Sequence, residues 1–304
     1  MLKITWLKLK SFLKLIRWFH ELLAVLPFLG LYLILDEFSR RNGDSCKLSA
    51  FNFALLCLCV QLLIAAGCVL NDIMDWKIDK INKPVTHIVG NTISLNSAKI
   101  IFTVLSILIV GLSVYICKYM FIEWGYISFG VYILSILYDV YLKRSPLLGN
   151  ILMALLSSFI PLVLFFFAKD CIEALHNPRI NLLIYLYAAF PFLIIIPREL
   201  SLDISDLEGD EACGCKTLPV LIGEVKSKWV VVAFLILIIV LSVPLSIRNP
   251  YLAKSLAVID LLILAYLYKL RTTETRLEYI RIGRFLWFVM IFGLIAFTIA
   301  TIFG

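Results

Sequence analysis

The amino-acid sequence predicts an all-α membrane protein, a polytopic bundle of about nine transmembrane helices around a central cavity. The first observation is composition: 62% of the 304 residues are apolar and only 16% are charged, whereas soluble domains contain about 45–50% apolar and about 25% charged residues. The second is a series of nine apolar runs, each long enough to cross a bilayer. The third is an uneven distribution of Lys and Arg between the loops. This composition excludes a soluble globular protein, a disordered chain and a nucleic-acid-binding domain.

The chain begins with a basic amphipathic segment over residues 1–20. Five basic side chains alternate there with Trp, Phe, Leu and Ile, namely Lys3, Lys8, Lys10, Lys14 and Arg17. This pattern is typical of a helix that lies on an anionic membrane surface. We expect the nine spans that follow to be centred on Phe28, Cys59, Leu108, Tyr132, Ser157, Ala188, Leu237, Leu261 and Gly293.

The basic residues predict the orientation of the bundle. Twenty of the 28 Lys and Arg residues fall in the N-terminal segment and in every second loop, and eight fall on the other side. Cytoplasmic loops carry the excess of Lys and Arg. We therefore expect the N-terminus and the loops near residues 80 and 210 to be cytoplasmic and the C-terminus to lie outside. The net charge of +7 then reflects topology, and no nucleic-acid partner is expected.

Two acidic motifs with identical spacing lie at the cytoplasmic ends of the second and sixth spans. The first follows Asn71 and comprises Asp72, Asp75 and Asp79; the second comprises Asp203, Asp206 and Asp210. Spacings of three and then four residues place each set on one face of a helix. One such stripe would ordinarily be a solvated helix face. Two copies on the same side of the membrane instead indicate a shared function, and weakly suggest a repeat of two halves.

The chemistry of these motifs favours a hard cation and a phosphorylated lipid. Mg²⁺ prefers oxygen ligands and is commonly held by one or two carboxylates together with substrate phosphates. A lipid diphosphate suits such a site because its chain can enter the bundle while its head group meets the metal. The sequence therefore predicts a Mg²⁺-dependent site for a lipid diphosphate at the cytoplasmic edge of the bundle.

These motifs resemble those of the UbiA-type membrane prenyltransferase superfamily over nearly the whole chain. The first motif is followed by Asn82-Lys83-Pro84, and the second by Gly214-Cys215-Lys216-Thr217-Leu218-Pro219. Between them, the run from Tyr138 through Leu142-Lys143-Arg144 to Gly149-Asn150 is similar to a third family motif. The chain departs from the usual pattern at Val85-Thr86-His87 and at Arg17-Trp18-Phe19-His20-Glu21, and both departures concern substrate binding.

The resemblance implies transfer of a polyprenyl group from an isoprenoid diphosphate to a lipophilic acceptor, through an allylic carbocation and with release of diphosphate. Two Mg²⁺ ions would stabilise the leaving group. Asp72, Asp75 and Asp79 would hold one ion and Asp203, Asp206 and Asp210 the other, with Asp72, Asp75, Asp203 and Asp206 as the catalytic set. The residues expected to contact the diphosphate are Asn71, Tyr138, Lys143, Arg144, Arg198 and Lys216.

The acceptor has more than one candidate. The second motif, with Arg-Glu before it and Lys-Thr-Leu-Pro after it, looks most like the branch that prenylates geranylgeranylglyceryl phosphate. The alternative is an aromatic quinone precursor of the 4-hydroxybenzoate or dihydroxynaphthoate type. A cation transporter is a non-enzymatic alternative, but it would require ionisable residues near the span centres. We expect one prenyltransferase domain over residues 1–304, in contact with membrane lipids. Donor chain length and oligomeric state stay open.

Overall fold

A computed structural model describes residues 2–42, 49–120, 122–167 and 178–303. These residues form thirteen α-helices and one short 3₁₀ turn, and they contain no named strand. The helices are α1 Leu2–Leu15, α2 Trp18–Asn42, α3 Ala50–Met74, α4 Trp76–Asn82, α5 Leu95–Tyr119, α6 Glu123–Val140, α7 Leu148–Phe167, α8 Pro178–Ser205, α9 Leu207–Ala212, α10 Leu218–Ile222, α11 Glu224–Arg248, α12 Pro250–Arg271 and α13 Arg276–Phe303. The predicted all-α class is confirmed.

Eight of the described helices are long and apolar enough to cross a membrane. They are α3, α5, α6 with the turn after it, α7, α8, α11, α12 and α13, and they contain the centres of the last eight predicted spans. Phe28, the centre of the first predicted span, lies in α2, which is 25 residues long. The count of nine crossings stays a prediction. The N-terminal segment is helical in α1, and its position on the membrane surface also stays a prediction.

The chain forms two compact units, and the first contains Met1–Val25, Ser49–Arg144 and Glu208–Cys215. In this unit α3 packs against α1, α4, α5 and α6. The core includes Leu15 at the end of α1, together with Leu63, Ala66 and Val69 of α3. Because Leu15 is fully buried against α3, the end of α1 is fixed next to the helix that leads into the first acidic motif.

The second unit contains Leu26–Leu48, Ser145–Leu207 and Lys216–Gly304. Its centre is α8, which packs against α7, α11 and α13, while α12 packs against α11 and α13. A Cβ atom on Gly293 of α13 would lie 2.3 Å from the ring of Phe190 on α8. This close approach explains why α13 has a glycine there. The buried Tyr266 of α12 also makes a 2.6 Å hydrogen bond with the hydroxyl of Ser201 on α8.

Candidate active site

The first acidic motif lies across a break between two helices. Helix α3 ends at Met74 and α4 begins at Trp76, so Asp75 lies at the junction with φ −93° and ψ 3°. The backbone amide of Asp75 still donates to the carbonyl of Asn71 at 2.9 Å, and that of Asp79 to Asp75 at 2.7 Å. The three carboxylates therefore lie on two helices that meet at Asp75, and not on the single helix that their spacing predicts.

Each carboxylate of the first motif is paired with a basic side chain. Arg17 lies 3.3 Å from Asp72, Lys143 forms an ion pair with Asp75, and Lys83 lies 2.8 Å from Asp79. These pairs neutralise a like-charge stripe that would otherwise destabilise the buried ends of α3 and α4. They also assemble three cations, from three separate segments, around the motif.

The pair of Lys143 and Asp75 is the most enclosed of the three. The side chains are 13% and 15% exposed. One oxygen of Asp75 accepts from Lys143, while the other, Oδ1, is buried and has no hydrogen-bond partner in the described part of the chain. A buried carboxylate oxygen without a partner costs free energy, and it is also a free ligand atom for a cation.

Asn71 is oriented by a carboxylate that the sequence analysis did not select. Its Nδ2 donates to Oδ1 of Asp139 at 3.1 Å, and Asp139 is only 2% exposed. This bond fixes the orientation of the amide. Its Oδ1 then faces Arg17, whose Nη2 lies 3.5 Å away. Asn71 therefore presents an oxygen beside the carboxylate of Asp72. Tyr138, next to Asp139 on α6, is half-buried.

The second acidic motif also contains a helix break at its middle carboxylate. Helix α8 ends at Ser205 and α9 begins at Leu207, and the backbone amide of Asp206 donates to the carbonyl of Leu202 at 3.0 Å. In each motif, therefore, one helix ends just before the middle carboxylate and the next begins just after it. Asp203 and Asp206 belong to the second unit, whereas Asp210 belongs to the first.

In the second unit, two side chains hold the carboxylates of the motif. Asn150, at the start of α7 and 6% exposed, donates through Nδ2 to Oδ2 of Asp203 at 2.7 Å. Arg276, at the start of α13, donates through Nη2 to Oδ1 of Asp206 at 2.8 Å. Both carboxylates are thereby fixed by partners from other helices.

In the first unit, the Asp210 segment is fixed to the Asn-x-Pro sequence. The buried amide of Gly209 donates to Oδ1 of Asn82 at 3.0 Å, and Asn82 and Asp210 are each 9% exposed. A Cβ atom on Gly209 would lie 2.5–2.6 Å from the amide atoms of Asn82. Only a glycine permits this approach, which explains the Glu-Gly-Asp sequence within the second motif.

The remaining predicted diphosphate contacts have different surroundings. Arg198 is mostly buried and pairs with Glu199, and its Nε is buried with no partner among the described residues. Arg144 is exposed and donates to the carbonyl of Met74 at 3.4 Å, close to the first motif. Lys216 is exposed, and the structure shows no ion pair for it within the described chain.

Cys215 lies in the same acidic neighbourhood of the first unit. Its thiol is buried, and burial together with the nearby Asp210 carboxylate raises its pKa to about 11. The side chain of Arg144 acts in the opposite direction. Cys215 is therefore a protonated thiol at neutral pH.

The donor set suits a metal that is shared with a substrate. No group of three or more His, Cys, Asp or Glu side chains is close enough to hold a metal ion within the described ranges. Mg²⁺ does not require one, because it usually takes one or two carboxylates, several waters and the phosphate oxygens of a substrate. The unpartnered Oδ1 of Asp75 and the oriented oxygen of Asn71 fit that requirement.

Five residues that contact the two motifs or their neighbours were not predicted as site residues. Arg276 contributed only to the count of basic residues. Arg17 was noted in the basic N-terminal segment and in a departure from the family pattern, and Asn82 and Asn150 were noted as parts of motifs. Asp139 lies within the third motif, which begins at Tyr138, but it was not selected as a site residue. One signal was available for Asp139, since it is a carboxylate at the end of an apolar span, four residues before the basic pair Lys143-Arg144.

The described residues form long apolar helices and carry two acidic motifs whose carboxylates pair with basic side chains. This combination is typical of a membrane prenyltransferase. Residues 42–289 match the model of the UbiA prenyltransferase family. The chain belongs to this family, and it is a membrane-embedded prenyltransferase.

Several relatives are named digeranylgeranylglyceryl phosphate synthase. One from Methanobrevibacter smithii is 32% identical over 81% of this chain and 86% of its own length. One from Pyrococcus abyssi is 30% identical over 78% of this chain and 77% of its own length. A solved structure of a digeranylgeranylglyceryl phosphate synthase is 27% identical, with a TM-score of 0.64 over 97% of this chain and 99% of its own.

A further solved structure supports the fold alone. It is a UbiA homologue from Archaeoglobus fulgidus bound to GPP and Mg²⁺, 17% identical, with a TM-score of 0.59 over 94% of this chain and 99% of its own. The resemblance stated from the sequence is confirmed.

Proposed function

We propose that the chain transfers a geranylgeranyl group from its diphosphate to geranylgeranylglyceryl phosphate in the membrane. The observation that carries this choice of acceptor is the agreement between the second motif and the relatives. Relatives at least 30% identical over more than three quarters of the chain bear the name digeranylgeranylglyceryl phosphate synthase. The solved structure that shares 27% identity bears the same name.

We further propose that both acidic motifs act through Mg²⁺ on the donor diphosphate. Asp72, Asp75 and Asp79 would hold one ion, and Asp203, Asp206 and Asp210 the other. Bound Mg²⁺ would stabilise the negative charge that develops on the departing diphosphate. This assignment is supported by Oδ1 of Asp75, which has no hydrogen-bond partner among the described residues.

The basic and amide side chains of the first unit then have defined roles. Asp139 holds the amide of Asn71, so that its oxygen is available beside Asp72. Lys143 keeps a positive charge at Asp75 and can donate to a phosphate oxygen, since an ammonium group has three donors. Arg144, and Lys216 of the second unit, are exposed cations that would attract the diphosphate. Tyr138 is proposed as a hydrogen-bond donor to it.

The second unit would contribute Arg198 to the same chemistry. Its guanidinium pairs with Glu199 and has a buried Nε–H that meets no acceptor in the described part of the chain, which suits binding of a phosphate oxygen. As the C–O bond to the diphosphate breaks, an allylic carbocation forms, and the hydroxyl oxygen of the acceptor captures it. The hydroxyl proton of the acceptor then passes to water.

The membrane topology and domain organisation belong to the same proposal. We place the N-terminus and both acidic motifs on the cytoplasmic side and the C-terminus outside, because Lys and Arg concentrate in the corresponding loops. The donor, the acceptor and the surrounding lipids are its partners. The whole chain would act as one prenyltransferase domain, with α1 at the membrane surface.

A panel of acceptors tests this function directly. The purified protein in detergent with Mg²⁺ is given geranylgeranyl diphosphate and, separately, geranylgeranylglyceryl phosphate, 4-hydroxybenzoate and dihydroxynaphthoate. Mass spectrometry should detect the doubly prenylated glycerol phosphate and no prenylated aromatic product. A prenylated aromatic product, with none from the glycerol phosphate lipid, would reject the proposed acceptor.

A further inference from the structure

The short connection between α12 and α13 is a rigid platform. Thr275 and Glu278 form a reciprocal cap at the start of α13. The amide of Glu278 approaches Oγ1 of Thr275 at 3.4 Å, and Oε2 of Glu278 accepts from the amides of Glu274 and Thr275, each at 3.2 Å. A capping box of this kind satisfies the free amides at a helix start and fixes the entry of the chain.

Side chains from neighbouring helices hold the same connection from both ends. The hydroxyl of Tyr279 donates to Oε1 of Glu224 on α11 at 2.6 Å. The ammonium group of Lys228, also on α11, donates to the carbonyl of Thr273 at 2.7 Å. Thr273 and Tyr279 are almost fully buried. The first turn of α13 therefore has a defined position on the second unit.

Arg276 extends from this platform to the second acidic motif. Its Nη2 is 2.8 Å from Oδ1 of Asp206, and the two side chains are 28% and 31% exposed. Two turns further along α13, a Cβ atom on Gly283 would lie 3.1 Å from Leu202 of α8. The start of α13 thus packs closely on the segment that carries the motif, which keeps Arg276 at Asp206.

The guanidinium of Arg276 has an N–H donor that does not take part in the ion pair with Asp206. Its Nε–H is buried and has no hydrogen-bond partner among the described residues. An unsatisfied buried donor is costly, and more so when it carries charge. A planar guanidinium that holds a carboxylate with one N–H can at the same time donate another to a phosphate oxygen.

We propose that Arg276 is a phosphate-binding residue of the prenyl transfer site: it holds Asp206 through Nη2 and donates through Nε to a phosphate oxygen of a substrate. The phosphate belongs either to the donor diphosphate or to the phosphate monoester of the acceptor. This inference rests on the proposed function. It adds a substrate contact from the first turn of α13, a segment outside all three sequence motifs.

The test uses full-length protein in detergent and the variants Arg276→Gln and Arg276→Lys. Arg281→Gln is the matched control, because Arg281 lies on the same helix, is exposed and has no ion pair in the described part of the chain. Donor binding is measured with the sulfur-bridged analogue of geranylgeranyl diphosphate at saturating Mg²⁺. Acceptor binding is measured as the KM for geranylgeranylglyceryl phosphate, and thermal unfolding midpoints report folding.

We expect Arg276→Gln to lower the affinity for one of the two ligands by at least about tenfold, which is the range of a charge-assisted hydrogen bond. The ligand that weakens identifies the source of the phosphate. Arg276→Lys should restore the unfolding midpoint but only part of the affinity, because an ammonium group is a point donor without the planar fork. Arg281→Gln should leave both affinities within about twofold of the wild type.

Unchanged affinity for both ligands in a folded Arg276→Gln variant overturns the inference. If that variant also needs a higher Mg²⁺ concentration for half-maximal activity, Arg276 is only a positioning residue for Asp206. Failure of the proposed function is seen separately, since the wild-type protein would then give no product from geranylgeranylglyceryl phosphate.

Discussion

Replacing Gly209 with Ala should separate the second acidic motif from the Asn-x-Pro sequence of the first unit. In the structure the amide of Gly209 donates to Oδ1 of Asn82 at 3.0 Å. A Cβ atom would lie 2.5 Å from Nδ2, 2.6 Å from Cγ and 2.6 Å from Oδ1 of that side chain. Since ordinary contacts begin near 3.4 Å, the Asn82 amide would have to move away by almost 1 Å.

The energetic cost has three contributions. Overpacking a close contact costs about 1–3 kcal/mol. The buried Gly209 amide would lose its acceptor, which costs about 1–3 kcal/mol more. Alanine has the better helix propensity by about 1 kcal/mol, and this offsets part of the loss because Gly209 lies in α9. We therefore expect Gly209→Ala to lower the free energy of unfolding by about 3 kcal/mol.

A double-mutant cycle with Asn82→Ala provides the assay. Unfolding free energies are measured in mixed micelles of increasing SDS content, with tryptophan fluorescence as the signal. In the Asn82→Ala background the clash is absent, so Gly209→Ala should cost less than about 0.5 kcal/mol and the two changes should be strongly non-additive. Gly111→Ala is the control, because a Cβ atom there meets nothing within 4 Å. A loss below about 0.5 kcal/mol for Gly209→Ala alone, or additive losses, would refute the reasoning.

Three further predictions follow from single contacts. Lys143→Gln leaves the mostly buried Asp75 without its cation, so the free energy of unfolding should fall by about 2 kcal/mol. Mg²⁺ should then raise the unfolding midpoint of the variant more than that of the wild type. Equal shifts of the two midpoints would contradict this. Asn150→Leu removes the 2.7 Å hydrogen bond to Asp203, the first carboxylate of the second motif. The Mg²⁺ concentration for half-maximal activity should therefore rise, and an unchanged Mg²⁺ titration of activity would disprove this. A pKa of about 11 leaves about one Cys215 thiol in a thousand as thiolate at pH 8. Maleimide should therefore label the exposed Cys213 first, with Cys215 labelling rising about tenfold per pH unit up to its pKa; peptide mapping that finds equal labelling at pH 8 would contradict the shift.

The fold class follows from the sequence because a bilayer requires long apolar helices, and few chains of this composition have another solution. The shared spacing of the two acidic motifs is also visible in the sequence. The helix breaks at Asp75 and Asp206 were not predicted, since a spacing of three and four residues is equally compatible with a continuous helix. The φ and ψ of Asp75 lie in the sparsely occupied bridge region, and the sequence contains no proline or glycine at that point to signal it.

The partners of the carboxylates divide into local and distant ones. Lys83 lies four residues after Asp79, a spacing at which helical side chains meet, so this pair was accessible from the sequence. Arg17 is 55 residues from Asp72 and Arg276 is 70 residues from Asp206. Such pairs depend on how helices pack. In an unaligned sequence these arginines are indistinguishable from the basic residues that set topology.

The central claim is that both acidic motifs act with Mg²⁺ in one prenyl transfer reaction. The most direct measurement is Mg²⁺-dependent product formation from geranylgeranyl diphosphate and geranylgeranylglyceryl phosphate by the wild type and by the separate variants Asp75→Ala and Asp206→Ala. The wild type should form product only with the metal. Each variant should fold, with its helical circular dichroism retained, yet lose activity by orders of magnitude. Wild-type turnover in either variant, or full activity after Mg²⁺ is chelated, would contradict the account.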